Sequence, residues 1–244
     1  MSRFTESNNP LVRDKTFDTL DKDLILDYAE RSTIAGSINK TLILFGILLG
    51  TTLLSYQMPS QAYLLIGALG GLVVFFIVMF KPNTAPVLAP VYAALEGFFV
   101  GTISFMYASA FEGIVFQALM LTFGTLLSML VLYKSGLITI TEKFRSIVMM
   151  ATGAIFLVYI ASFLGSFVGF TVPYLHDSSP LGIGISVVII GVAALNLLLD
   201  FDLFERVEKE GAPKYMEWFC GMVLLVTLIW LYIEFLRLLA KLKE

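Results

Sequence analysis

Beyond Lys40 the chain is a succession of long apolar runs broken by short polar turns. A helix rising 1.5 Å per residue needs about 20 apolar residues to cross a ~30 Å hydrocarbon core. Seven runs have that length: 40–57, 61–80, 86–108, 113–133, 146–170, 181–202 and 215–239. The breaks carry turn residues: Gln57-Met58-Pro59-Ser60, Lys81-Pro82-Asn83, Glu112-Gly113, Lys134-Ser135-Gly136, Pro173 to Pro180, and Gly211-Ala212-Pro213. Inside lipid every backbone group must be satisfied internally, so only helices and closed barrels span. Barrel strands would be about 10 residues long with alternating polarity. The runs here are twice that and lack alternation. The pattern predicts an all-α, seven-helix membrane protein.

Residues 1–39 are polar and charge-dense and predict a tail, with the membrane domain over 40–244. A secretory signal would place a short apolar core near Met1. Here the first apolar run follows Lys40, so the tail is expected to be retained and the first span to act as the insertion signal. Asp18 to Arg31 fits a short amphipathic helix with Leu20, Leu24 and Tyr28 near one face, or an irregular tail. Composition narrows the classes. The chain is 58% hydrophobic and 14% charged, against roughly 45–50% and about 25% for soluble domains. That excess excludes a soluble enzyme and a disordered chain. A net charge of −3 leaves no basic surface for nucleic acid. The single cysteine, Cys220, allows no internal disulfide. The single histidine, His176, sits in the fifth connector and reads as solvent-exposed. No cofactor is expected.

Lysine and arginine placement predicts orientation. Six lie in the N-terminal segment through Lys40. Lys81 lies in the second connector, Lys134, Lys143 and Arg145 in the fourth, and Arg206, Lys209 and Lys214 in the sixth. The first, third and fifth connectors hold none. This alternation puts the N-terminus in the cytoplasm. Arg237, Lys241 and Lys243 oppose it, since seven spans place the C-terminus outside. Either those three are tolerated there or one run is re-entrant and six spans remain; the length of 215–239 favours seven.

Gly46/Gly50, Gly67/Gly71, Gly97/Gly101 and Gly165/Gly169 have the spacing that lets helix backbones approach closely in lipid. Together they predict a tight internal bundle.

Charges within spans mark the candidate chemistry, because each costs on the order of 2.5–3.5 kcal/mol at mid-bilayer. Glu96 falls near the centre of the third span. Asp200 and Asp202 end the sixth run. Two residues apart, they point about 200° apart, so one faces inward and the other a headgroup or neighbour. Glu234 and Arg237 stand at i, i+3 and can pair, with Arg237 snorkelling to the helix end. Thr227 precedes them and can donate a hydrogen bond between helices.

Four stretches resemble the Bax inhibitor-1 family, specifically its longer bacterial branch. They are Ser7-Asn-Asn-Pro-Leu-Val, Gly36-Ser-Ile-Asn-Lys40-Thr, Tyr92-Ala-Ala-Leu-Glu96-Gly97, and Leu199-Asp-Phe-Asp-Leu-Phe-Glu-Arg followed by Trp230-Leu-Tyr-Ile-Glu-Phe-Leu-Arg-Leu-Leu. The resemblance implies seven helices with the last one central and six around it. It implies a pH-sensitive calcium leak in a bacterial inner membrane. In such relatives two aspartates on the sixth and seventh helices share a proton, and a basic residue ending the second helix bonds them when closed. Asp202 matches the sixth-helix acid and Lys81 the basic partner. The seventh-helix position is Thr227, a departure, for which Asp200, Glu96 or Glu234 are the candidate substitutes.

The reading that follows is a cation leak, with Ca²⁺ the expected ion by hard-oxygen chemistry, Asp202 as switch, Asp200 and Lys81 as partners and Glu96 along the path. If the closed state pairs a bare carboxylate with Lys81, acid opens it; if it shares a proton between carboxylates, alkali does. The rival is a non-conducting regulator that binds other membrane proteins, such as a protease. An intramembrane enzyme is not expected, since the single histidine lies in a connector and no Tyr-Asp with Gly-x-Gly-Asp pair occurs.

Overall fold

The computed structural model describes residues 31–166, 169 and 177–244. The helix expected from Asp18 and the exposed His176 lie outside the described residues. Seven long helices follow one another: α1 Ile34–Gln57, α2 Gln61–Phe80, α3 Ala85–Ala110, α4 Ile114–Lys134, α5 Glu142–Ser166, α6 Pro180–Lys209 and α7 Met216–Lys243. One 3₁₀ turn, Pro82–Thr84, joins α2 to α3. No strand forms among the described residues. All seven helices are long and apolar enough to cross a membrane.

Helix ends shift where capping overrides hydropathy. α1 begins at Ile34, six residues before the apolar run, because Thr33 accepts from the Gly36 amide. Two acids from the α6–α7 hairpin complete that cap. Glu217 accepts from the Thr33 amide at 3.1 Å and Glu208 from the Ile34 amide at 3.0 Å. Negative charge at a helix N-terminus also suits the helix dipole. The Glu217 carboxylate lies where a Cβ on residue 36 would be, so any larger residue there would displace that carboxylate from the cap. Ser32 holds the same hairpin through the Ala212 and Pro213 carbonyls. α5 covers 142–166 rather than 146–170. α6 runs seven residues past its expected end, through Glu205 and Arg206 to Lys209, so Asp200 and Asp202 lie inside a helix.

α7 is the axis of the bundle. Of its span 72% is buried, against 44% for α3 and 6% for α5. It packs on α1, α3, α4 and α6, while α2 packs on α3 and α5 on α6. Leu225, Leu231 and Leu236 on α7 are fully covered, as are Leu44 on α1 and Leu197 on α6.

Two of the four glycine pairs make close contacts. A Cβ on Gly67 would stand 2.6 Å from the Leu95 carbonyl oxygen, and one on Gly97 would stand 2.5 Å from that of Leu48. These pairs bring α2 onto α3 and α3 onto α1. The expectation fails for the other two. Gly46 and Gly50 face open space, and Gly169 lies beyond the end of α5 at φ 74°. Spacing alone does not say whether a neighbour is present.

Candidate functional site

The two aspartates of α6 do diverge, as helical geometry requires. Asp200 turns into the bundle and is 5% exposed. Its hydrogen-bond partner across the interface is the Thr227 hydroxyl of α7. Its Oδ2 has no hydrogen-bond partner among the described residues. Cys220 of α7 and Ser37 of α1 border the same patch, the two side chains within reach of each other. A buried carboxyl left half-satisfied is costly and therefore informative.

Asp202 turns the other way. Its Oδ2 meets Arg145 of α5 at 2.7 Å and Arg206 of its own helix at 3.0 Å. Arg145 also holds Glu142 at 2.7 Å. Lys81, the expected basic partner, is exposed at the end of α2 and pairs with no side chain among the described residues. The reason is packing: α2 lies on α3, whereas α5 lies directly on α6. Arg206 was findable from its i+4 spacing to Asp202; Arg145, 57 positions away in sequence, was not.

Glu96 occupies a third setting. Its carboxyl bonds the Tyr92 hydroxyl one turn earlier and covers Gly71 of α2, where a Cβ would stand within van der Waals distance of it. α3 thus presents Glu96 to α2 and not to α7. The three acids expected to share a path are held apart, and no group of three or more metal-ligating side chains gathers among the described residues.

At the other end of α7, Glu234 and Arg237 pair at 3.1 Å. Glu234 is 1% exposed and also accepts from Tyr159 of α5 at 2.7 Å and from Trp230 at 3.3 Å. Arg237 does not snorkel. It folds inward onto Tyr159, bonding its hydroxyl and lying 5.0 Å from its ring centroid. Lys241 is buried and donates to the Gly182 carbonyl and Ser186 hydroxyl, each at 3.0 Å. Lys243 donates to the Glu112 carbonyl. The C-terminal cations that opposed the orientation rule are therefore engaged by protein acceptors. Tyr159 carried no signal in the sequence, since an aromatic residue in an apolar run is usually lipid-facing or core.

The family model for Bax inhibitor 1 like proteins matches residues 6–244, nearly the whole chain. The chain belongs to the Bax inhibitor 1 like family. No curated protein matches its sequence. Within this family frame the position opposite the seventh-helix residue is the informative one. Thr227 meets Asp200 and not Asp202, so the inward-facing acid of α6 is Asp200.

Proposed function

We propose that this Bax inhibitor 1 like protein is a proton-responsive cation leak, with Asp200 as its switch and Ca²⁺ as the conducted ion. The supporting observation is the Asp200 carboxyl, buried beside the central helix with one oxygen unpartnered. Among the described residues no cation faces it, so a proton gained or lost there changes the charge within the α6–α7 interface and must be answered by helix movement or water entry. An intramembrane ionisable group is a functional candidate by default. Asp202, clamped by Arg145 and Arg206, serves as a fastener for α5 in this reading, and Glu96 offers a further oxygen ligand off the main interface. Lys81 has no assigned part.

We place the protein in a bacterial inner membrane with its N-terminus cytoplasmic and its C-terminus outside. The alternation of basic connectors supports this, and Arg237, Lys241 and Lys243 each hold a protein acceptor. Purified protein in vesicles loaded with a calcium dye tests the reading over a pH series. Asp200→Asn is expected to flatten the pH profile, while Asp202→Asn keeps it. A wild-type pH profile in Asp200→Asn overturns the assignment.

One observation favours a second reading, a non-conducting regulator of membrane proteins such as a protease: the three acids hold different partners, Asp200 with Thr227, Asp202 with Arg145 and Glu96 with Tyr92. Pull-down of partners with and without residues 1–30, measured beside flux, separates the two.

A further inference from the structure

α1 and α4 both pack on α7, and between them Phe45 meets Phe123 edge to face at 5.8 Å between centroids. That pair divides a groove into two apolar cavities, about 370 Å³ toward Lys134 and about 240 Å³ beyond. The floor of the larger one is Leu224 and Leu228 of α7. The most enclosed helix of the bundle is thus reachable from the bilayer through a side opening.

The larger cavity has the dimensions of one lipid chain. From Ile34 to Phe45 is eleven residues, or ~17 Å at helical rise. That is about half of a ~30 Å hydrocarbon core, the depth of one leaflet. A volume of about 370 Å³ spread over that length makes a narrow, elongated groove. Its shape suits one extended hydrocarbon chain.

The mouth carries a headgroup partner. Lys134 is exposed at the end of α4, where that helix reaches the interface. The acid nearby, Glu205, is bonded by Lys209 at 3.0 Å and by Tyr133, and Lys134 lies within its electrostatic reach as well. Basic side chains at such openings suit anionic lipid headgroups.

We propose that the α1–α4 groove binds an anionic phospholipid of the surrounding bilayer, its chain lying on Leu224 and Leu228 and its phosphate at Lys134. This rests on the groove alone and is independent of Asp200. The test uses the full chain in phosphatidylcholine vesicles doped with phosphatidylglycerol, or with phosphatidylcholine, bearing a photoreactive group in the acyl chain. After illumination, peptide mass spectrometry maps the adducts. Adducts on Leu224 or Leu228 are expected, several-fold stronger from the phosphatidylglycerol probe. Leu130→Trp, which fills the groove, should lower them at least fivefold and leave those on the outward Met149 of α5 unchanged. Lys134→Glu should abolish the preference for phosphatidylglycerol, and Lys134→Arg should keep it. Lys134 is exposed, so these two variants leave the packing intact even where Leu130→Trp does not fold. Adducts confined to outward residues such as Met149 and Phe116, or equal labelling of Leu224 and Leu228 by both probes, overturn the proposal.

Discussion

Replacing Glu234 with leucine removes the acceptor that Tyr159, Trp230 and Arg237 share. The glutamate is 1% exposed, so its loss leaves the Arg237 charge and two donors facing apolar surroundings. Breaking one side of a buried ion pair costs about 3–5 kcal/mol. Arg237 keeps 23% of its side chain exposed and its contact with the Tyr159 ring, which argues for the lower end, about 3 kcal/mol. Removing both charges is a different perturbation. Glu234→Leu with Arg237→Met leaves no orphan charge and should lie within about 1 kcal/mol of the wild type, since apolar replacement of a whole buried pair is often neutral. The coupling between the two sites is then about 2 kcal/mol or more. Unfolding by dodecyl sulfate, followed by circular dichroism in mixed micelles, measures all four corners of the cycle. A double variant as unstable as Glu234→Leu alone would refute the reasoning, because the loss would then come from packing and not from an uncompensated charge.

Gly97→Ala should destabilise the bundle by about 1–3 kcal/mol, because its Cβ is driven into the Leu48 carbonyl, whereas Gly46→Ala, with nothing within 4 Å, should be neutral or stabilising by up to about 1 kcal/mol. The same unfolding assay checks both, and equal effects would contradict the packing described. α5 is 6% buried and is attached largely through polar contacts at Arg145, Thr152 and Tyr159. Asp202→Asn should therefore raise hydrogen exchange across Glu142–Ser166 and leave α3 unchanged; uniform exchange would show that α5 does not depend on that clamp.

What could be read from the residues alone was whatever depends on one segment at a time. Each apolar run satisfies its own backbone and partitions by its own composition, so seven helices, their order and their short connectors followed without knowledge of any neighbour. The divergence of Asp200 and Asp202 was legible for the same reason: the angle between them belongs to the helix. The Glu234–Arg237 pair likewise lies within one turn. Partnership across helices was decided only by the tertiary structure. Which aspartate faces inward depends on the rotation of α6 about its axis, and packing against α1, α5 and α7 sets that rotation. So Asp202 met Arg145 and not Lys81, Glu96 went to α2, and Gly46 found no neighbour while Gly97 did. Hydropathy assigns a residue to the membrane; interdigitation of side chains assigns it to a partner, and a single chain of letters carries little trace of that second step.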